Sequence, residues 1–478
     1  MAHMEDQRNK PVAEHTDIPA ILPRGRGHQF VCYADSCSGV PGAPEEGAFA
    51  NVNEVIARLQ PQPEFICFTG DEIIGLTNDE EELRSQWQYW HEKELIWLNR
   101  QSTPLYHSTG NHTAYDTASE RVFREVLAHL PRNGPQGQEG LTYFVRRDDL
   151  LLVFVNTLWS GLGGEGHVET TWLDQTLADH ADVRFKLVFG HHPVHPVQGR
   201  ISPCELHITP EDGRQFWSVL VKHQVMAYMC SHLLTFDVQV HEGVLQILSG
   251  GAGRAPLALH CVQAALDTEG LRYQALNTDG EIRNWLEWPL SLPPSETWEI
   301  FSTMSRALAL GGSDVRDAKL VAWRFSGVNS PAGDGDAQTL LSGWDNSTKP
   351  SPFWIGLLGR ERRLYILISP APGRSPSYWH GPMLQPGELF EVQIAMHTGM
   401  GPGGLLWRRR DGEPWSSMAA ASPWGHERLT WPGTWSIGHD QGGVFDRPFR
   451  GSNLQVGCHI QQLYLQHNNN GTRDQAHT

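Results

Sequence analysis

Between about residue 28 and residue 255, short apolar runs alternate with stretches whose apolar residues recur every three or four positions. The runs are FVCYA (30–34), EFICFTG (64–70), PLYHSTG (104–110), LLLVFVN (150–156), RFKLVFG (184–190), VMAYMCS (225–231) and VLQILSG (244–250). Their length and flanking turn residues predict strands. NVNEVIARL (51–59), EELRSQWQYWHEKELIWLN (81–99) and ETTWLDQTLADH (169–180) carry the helical period and predict amphipathic crossover helices. Strands separated by such helices imply an α/β domain.

The pattern changes after residue 255. LRYQALNTDGEIRNWLEW (271–288) keeps short alternating runs that complete the first domain's sheet, and the Pro-rich PLSLPPSE (289–296) reads as a linker. Beyond it, LVAWRFSG, FWIGLLG, RRLYILISP, LFEVQIAMH, TWSIGH and IQQLYLQ are separated by Gly, Pro, Asn and Asp, the pattern of an antiparallel all-β sandwich. The stretch 340–369 resembles laminin-G/concanavalin-like jelly rolls. The expected layout is therefore a flexible N-terminus (1–27), an α/β domain (28–290), a β-sandwich (297–466) and a disordered tail (467–478).

Five of the first domain's predicted strands end in polar clusters: Asp35, Gly70-Asp71, Gly110-Asn111-His112, Gly190-His191-His192 and Ser231-His232. In α/β sheets ligands bind outside the carboxyl ends of strands. Carboxylate, amide carbonyl and imidazole are donors that suit Fe, Mn or Zn.

GD (70–71), GNH (110–112), GHHPV (190–194) and SH (231–232), in this order after a strand-ending Asp35, resemble the calcineurin-like metallophosphoesterases, including purple acid phosphatases. The resemblance covers about residues 28–255. It implies a β-sheet sandwich flanked by helices, with Asp71, Asn111, His191 and His232 as one complete metal site. It further implies Asp71 shared with a second site containing Asp35, and His112 as the group that assists the leaving oxygen.

This chain departs from that pattern in the second site. The family's DxH motif is Asp35-Ser36-Cys37, and its GHxH is Ser231-His232-Leu233-Leu234. Leu234 has no donor atom. Cys37 has three readings, a soft ligand, a nucleophile or an inert thiol, and the loss of its companion histidine favours the last. One metal site is therefore expected rather than two. Thr113 stands where an acidic residue orients the GNH histidine, leaving Asp116 to take that part. Arg200 and His195 are candidates for holding an anionic substrate, and His192, next to His191, reads as structural support.

Lys and Arg number 37 against 54 Asp and Glu, a formal net charge of −17. That balance excludes long nucleic acid and anionic membrane surfaces as partners and leaves a small anionic molecule, whose charge a metal ion would offset. A separate ligand of the C-terminal sandwich is the other partner the layout allows. Seven cysteines at 32, 37, 67, 204, 230, 261 and 458, without a CxxC pair, fit reduced thiols. With no apolar N-terminal segment, they make the cytoplasm the default location. HEKEL (91–95) lacks a zincin's second histidine, and SGGAGRAP (249–256) lacks dinucleotide-loop spacing. The leading functional expectation is a metal-dependent hydrolase of a small phosphate ester. The alternatives are a mononuclear iron enzyme doing redox or non-phosphate chemistry, or a non-catalytic binding protein.

Overall fold

The computed structural model describes residues 16–197, 207–253, 259–302, 318–331, 337–344, 353–368, 377–420, 434–439 and 447–462. Arg200 and Cys204 lie outside the described residues, as does the end of IQQLYLQ. The chain divides into two compact units, Met1–Ser291 and Leu292–Thr478.

In the first unit the elements follow in the order β1 (His28–Tyr33), α1 (Glu46–Ala57), β2 (Phe65–Phe68), α2 (Glu80–Tyr89), β3 (Leu105–His107), α3 (Thr117–Val126), β4 (Tyr143–Arg147), β5 (Leu150–Phe154), α4 (Thr170–Asp179), β6 (Phe185–Phe189), α5 (Pro210–Lys222), β7 (Ala227–Cys230), β8 (Phe236–His241), β9 (Val244–Ser249), β10 (His260–Asp267), β11 (Gly270–Asn277) and β12 (Ile282–Trp288). They form two mixed six-stranded sheets, ordered β12-β11-β10-β1-β2-β3 and β8-β9-β7-β6-β5-β4. The strands β1, β2 and β3 run parallel, as do β5, β6, β7 and β9, while the outer hairpins are antiparallel.

The two sheets face each other through aromatic side chains. Phe154 stacks on Tyr143 and on Phe189, with ring centroids 4.7 Å apart in each case, and Phe189 meets Phe30 of the other sheet edge-on at 6.5 Å. Tyr106 reaches Phe154 across the same space at 5.9 Å. All five residues of β5 and of β6 are buried, which explains their unbroken apolar runs: each strand is covered on both faces.

Helix starts are set by local chemistry. Asp79 accepts the backbone N–H groups of Glu81 and Glu82 to open α2, and Asp116 forms a reciprocal capping box with Ser119 to open α3. Thr209 caps α5, with Pro210 in its first turn. Neither α3 nor α5 was among the expected helices, although each buries one apolar face, Val122 and Phe123 in α3 and Phe216, Trp217 and Leu220 in α5, and each opens on a cap residue. The segment 81–99, expected as one helix, ends as α2 and then widens into a π turn over Trp90–Glu94.

The second unit consists of two antiparallel sheets. One holds Glu299–Ser302, Ala318–Val328, Leu389–His397, Leu405–Arg408, Ser416–Ser417 and Ser452–Gln462; the other holds Gln338–Trp344, Phe353–Leu358, Arg363–Ile368, Ser377–Met383, Ala419–Ala420 and Thr434–Ile437. Trp323, Val392 and Ile394 of the first and Ile355, Ile366 and Trp379 of the second belong to one buried core, so the unit is an all-β sandwich. Among the described residues of the chain, no helix is long and apolar enough to cross a membrane.

The inter-sheet aromatic stack yields a stability prediction. Phe154→Ala removes a wholly buried ring between two partners and should cost about 3–5 kcal/mol in urea unfolding, whereas Leu389→Ser, at a side chain 83% exposed, should shift it by no more than about 0.5 kcal/mol. Equal effects of the two substitutions would contradict this account of the core.

Candidate metal centre

The parallel strands deliver the polar clusters to one rim because they end level. Tyr33 is paired with Phe68, Phe68 with His107, and Phe189 with Met229, one register step from the ends of their strands or at them. The chain then leaves each strand through a tight turn, and three polar residues there adopt left-handed backbone: Asp35 (φ 61°), Asp71 (φ 61°) and His232 (φ 69°). Such conformations are uncommon for non-glycine residues, and their clustering points to a functional constraint. The motif glycines have a different reason. A Cβ on Gly110 would sit 2.2 Å from Asp71 Oδ1, and one on Gly70 would sit 2.6 Å from His191 Nδ1.

Four donor atoms converge. Asn111 Oδ1 lies 3.0 Å from His191 Nε2 and 3.1 Å from His232 Nδ1, those two nitrogens are 3.1 Å apart, and Asp71 Oδ2 is 3.3 Å from His191 Nε2. Donors that share one cation through bonds of about 2.0–2.2 Å stand roughly 3 Å from each other. The proton inventory points the same way. His191 Nδ1 faces the Thr69 carbonyl at 2.9 Å, which can only accept, so Nδ1 carries the hydrogen and Nε2 of the neutral ring presents a lone pair to the cluster. Three or four lone pairs facing one point are complementary to a positive charge.

Without a cation that charge is a proton. Burial works against charging His191, but the neighbouring Asp71 carboxylate, by attraction and hydrogen bonding, outweighs it and raises His191 to about 9. Burial likewise opposes the Asp71 anion, yet His191 holds its carboxyl below the usual carboxylate range. His232 is pushed down to about 2, first by burial and then by its charged neighbour His191.

The other sequence candidates take distinct places. The buried Asp35 carboxylate accepts the His232 backbone N–H at 3.2 Å, fixing the turn that presents the imidazole. Burial above all raises Asp35 to about 8. Cys37 Sγ lies within 4.8 Å of Asp71 and His112 ligating atoms, so it lines the centre, and burial pushes its thiol up. Its loop is held by Ser36 Oγ, which donates to Glu72 O at 2.7 Å and accepts from Trp90 Nε1 at 3.1 Å. Leu234 is half-buried and offers only carbon.

His112 stands beside Asp71: its backbone N–H donates to Asp71 Oδ1 at 2.9 Å, and its Nε2 is 3.9 Å from Oδ2. Asp116, expected to orient this ring, does not. Its carboxylate is spent on capping α3, accepting Ser119 N–H at 2.7 Å, and the Ile74 carbonyl takes His112 Nδ1 instead, at 2.5 Å. A backbone carbonyl leaves no sequence signal, which is why Ile74 and Thr69 could not be foreseen. His195 stacks on His241 at 3.5 Å and meets Trp217 edge-on at 4.4 Å.

Comparison with protein-family models and with curated proteins returns no match. Among solved structures, the chain is similar to a purple acid phosphatase from yellow lupin (Lupinus luteus), at 16% identity and a TM-score of 0.42 over 54% of this chain and 53% of that one. The match thus spans about half the length of the lupin protein. It is also similar to a dimetal phosphatase from Danio rerio, at 15% identity and a TM-score of 0.40 over 53% of this chain and 97% of that one. A third similarity is to the CBM40 of a Ruminococcus gnavus IT-sialidase bound to α2,6-sialyllactose, at 15% identity and a TM-score of 0.25 over 34% of this chain and 88% of that one.

Since a cation must displace the proton held by His191, its affinity should rise with pH, by up to about tenfold per unit, until pH reaches about 9, and level off above. Calorimetric titration with Zn²⁺ or Mn²⁺ in buffers of different ionisation enthalpy counts the released proton. Affinity independent of pH between 6 and 9, with no proton release, would contradict the assignment.

Proposed function

We propose that this protein is a cation-dependent hydrolase of a small phosphate ester, with Asp71, Asn111, His191 and His232 holding the metal. The observation that carries the reading is the convergence of their four donor atoms at 3.0–3.3 Å on the rim where the parallel strands end. A divalent cation held there supplies Lewis acidity toward a phosphoryl oxygen and makes water a better nucleophile near neutral pH. Four protein donors leave room for further oxygen ligands in a five- or six-coordinate site. The net charge of −17 repels a free anion at long range, so short-range cationic charge is what a phosphate needs here.

His112 is the residue placed for proton transfer. Its Nδ1 is committed as a donor to the Ile74 carbonyl, so only Nε2 exchanges a proton, and that atom lies on the partly exposed side next to Asp71. It can hold a proton for a departing alkoxide or phenoxide oxygen. Asp71 couples the two functions: Oδ1 fixes the His112 backbone while Oδ2 faces the donor cluster. Cys37 and Leu234 leave the neighbouring half-site without its histidines, so the usual two-metal clamp on the attacking and leaving oxygens is not assembled from these positions. Esters with good leaving groups are therefore the expected substrates, since the leaving oxygen relies on His112 alone.

Hydrolysis of aryl phosphate mono- and diesters by the metal-loaded protein tests the reading. His112→Asn should lower kcat by about 10²–10⁴ with cation content unchanged, Asp71→Asn should lose both, and Cys37→Ala should change neither. A metal-loaded protein inactive on the whole ester series, or indifferent to His112→Asn, would overturn it.

A further inference from the structure

His232 has two ring nitrogens, and the site above uses one. Its Nδ1 faces Asn111 and His191, while its Nε2 is buried with no hydrogen-bond partner. The neighbouring His192 is in the same situation. Its ring is fully buried, its Nδ1 is engaged by the Thr157 hydroxyl at 2.8 Å, and its Nε2 has no hydrogen-bond partner. The two rings are adjacent, with centroids 4.5 Å apart. Two buried imidazole nitrogens left unsatisfied side by side are costly unless something binds them.

A carboxylate completes the group. Glu165 Oε1 lies 3.5 Å from His192 Nε2, and single ligating atoms of Glu165, His192 and His232 all lie within 4.8 Å of one another. The loop carrying Glu165 is anchored at the next residue: Gly166 N–H donates to the Thr157 carbonyl at 2.9 Å, and the Gly166 carbonyl accepts the Thr209 N–H at 2.8 Å. Thr157 thus positions both His192 and the Glu165 loop. Glu165 is the partly exposed member, with its side chain at the open side of the two buried rings.

We propose that Glu165, His192 Nε2 and His232 Nε2 form a second cation site, of the two-histidine, one-carboxylate type with open positions that suits Zn²⁺ or Cu²⁺. It rests on the reading above through the shared His232. With both sites filled, the His232 ring binds one cation through each nitrogen. It does so as the imidazolate, its remaining N–H proton passing to solvent. This site lies on the His192 side of His232, so the chain carries a dinuclear centre that uses neither Cys37 nor Leu234. His192, read from the sequence as structural support, becomes a ligand.

Metal analysis of the full chain after equilibration with Zn²⁺ and removal of excess should give two ions per chain. Glu165→Gln and His192→Ala should each give one, the ion retained being the one that Asp71→Asn removes. In the Cu²⁺-loaded protein, an imidazolate bridge couples the two ions and suppresses the ordinary Cu²⁺ electron paramagnetic resonance signal. Glu165→Gln, at a partly exposed side chain that should not disturb folding, restores an uncoupled signal from one ion. The proposal is overturned if the wild-type chain binds one Zn²⁺ that Asp71→Asn removes and Glu165→Gln does not, a result that leaves the four-donor site standing. It is equally overturned if two ions bind and Cys37→Ala, rather than Glu165→Gln, removes one.

Discussion

Everything at the centre depends on the hydrogen bond between His191 Nδ1 and the Thr69 carbonyl, which ties the turn after one sheet to the strand end of the other. It commits the proton of a neutral His191 to Nδ1 and therefore turns the lone pair of Nε2 toward Asp71, Asn111 and His232. Ser231 reinforces it, donating its hydroxyl to the same carbonyl at 2.6 Å. The Ser231 oxygen also lies 3.0 Å from Nδ1, and because its proton goes to the carbonyl, both neighbours of Nδ1 accept and the hydrogen of the neutral ring stays on Nδ1. The polarity of the cluster follows from that one bond.

The backbone provides the rest. Level parallel strands put five polar turns on one rim, but proximity alone would leave the side chains splayed. Left-handed conformations at Asp35, Asp71 and His232 turn them inward, and the Asp35 carboxylate holds one of these turns through the His232 N–H. Such strain persists only where the surroundings over-determine it. Here the surroundings are an inter-sheet core of stacked aromatic rings, with Trp90 and Ser36 bracing the loop that carries Cys37. Stability of the core and geometry of the site are thus linked through short turns with little freedom of their own.

Much of this was legible in the sequence. The short apolar runs located β1, β2, β3, β5, β6, β7 and β9, most of them covered on both faces and so without polar alternation, and the polar residues that follow β2, β3, β6 and β7 included all four converging donors. What was not legible was chemistry carried by the backbone or by the far end of a loop. The Ile74 carbonyl, not Asp116, orients His112, because a helix start at residue 117 claimed that carboxylate as its cap. Glu165 lies in no motif and reaches His192 only through the fold of the loop between β5 and α4. His195 was a candidate for holding an anionic substrate, and its ring packs in a stack with His241 and against Trp217.

The central claim is that the four converging donors hold a cation. It is tested most directly by an anomalous-difference map from a crystal equilibrated with Zn²⁺, recorded on either side of the zinc absorption edge. The account predicts a peak within bonding distance of Asp71 Oδ2, Asn111 Oδ1, His191 Nε2 and His232 Nδ1. An anomalous peak elsewhere on the chain with none among these four atoms would contradict it.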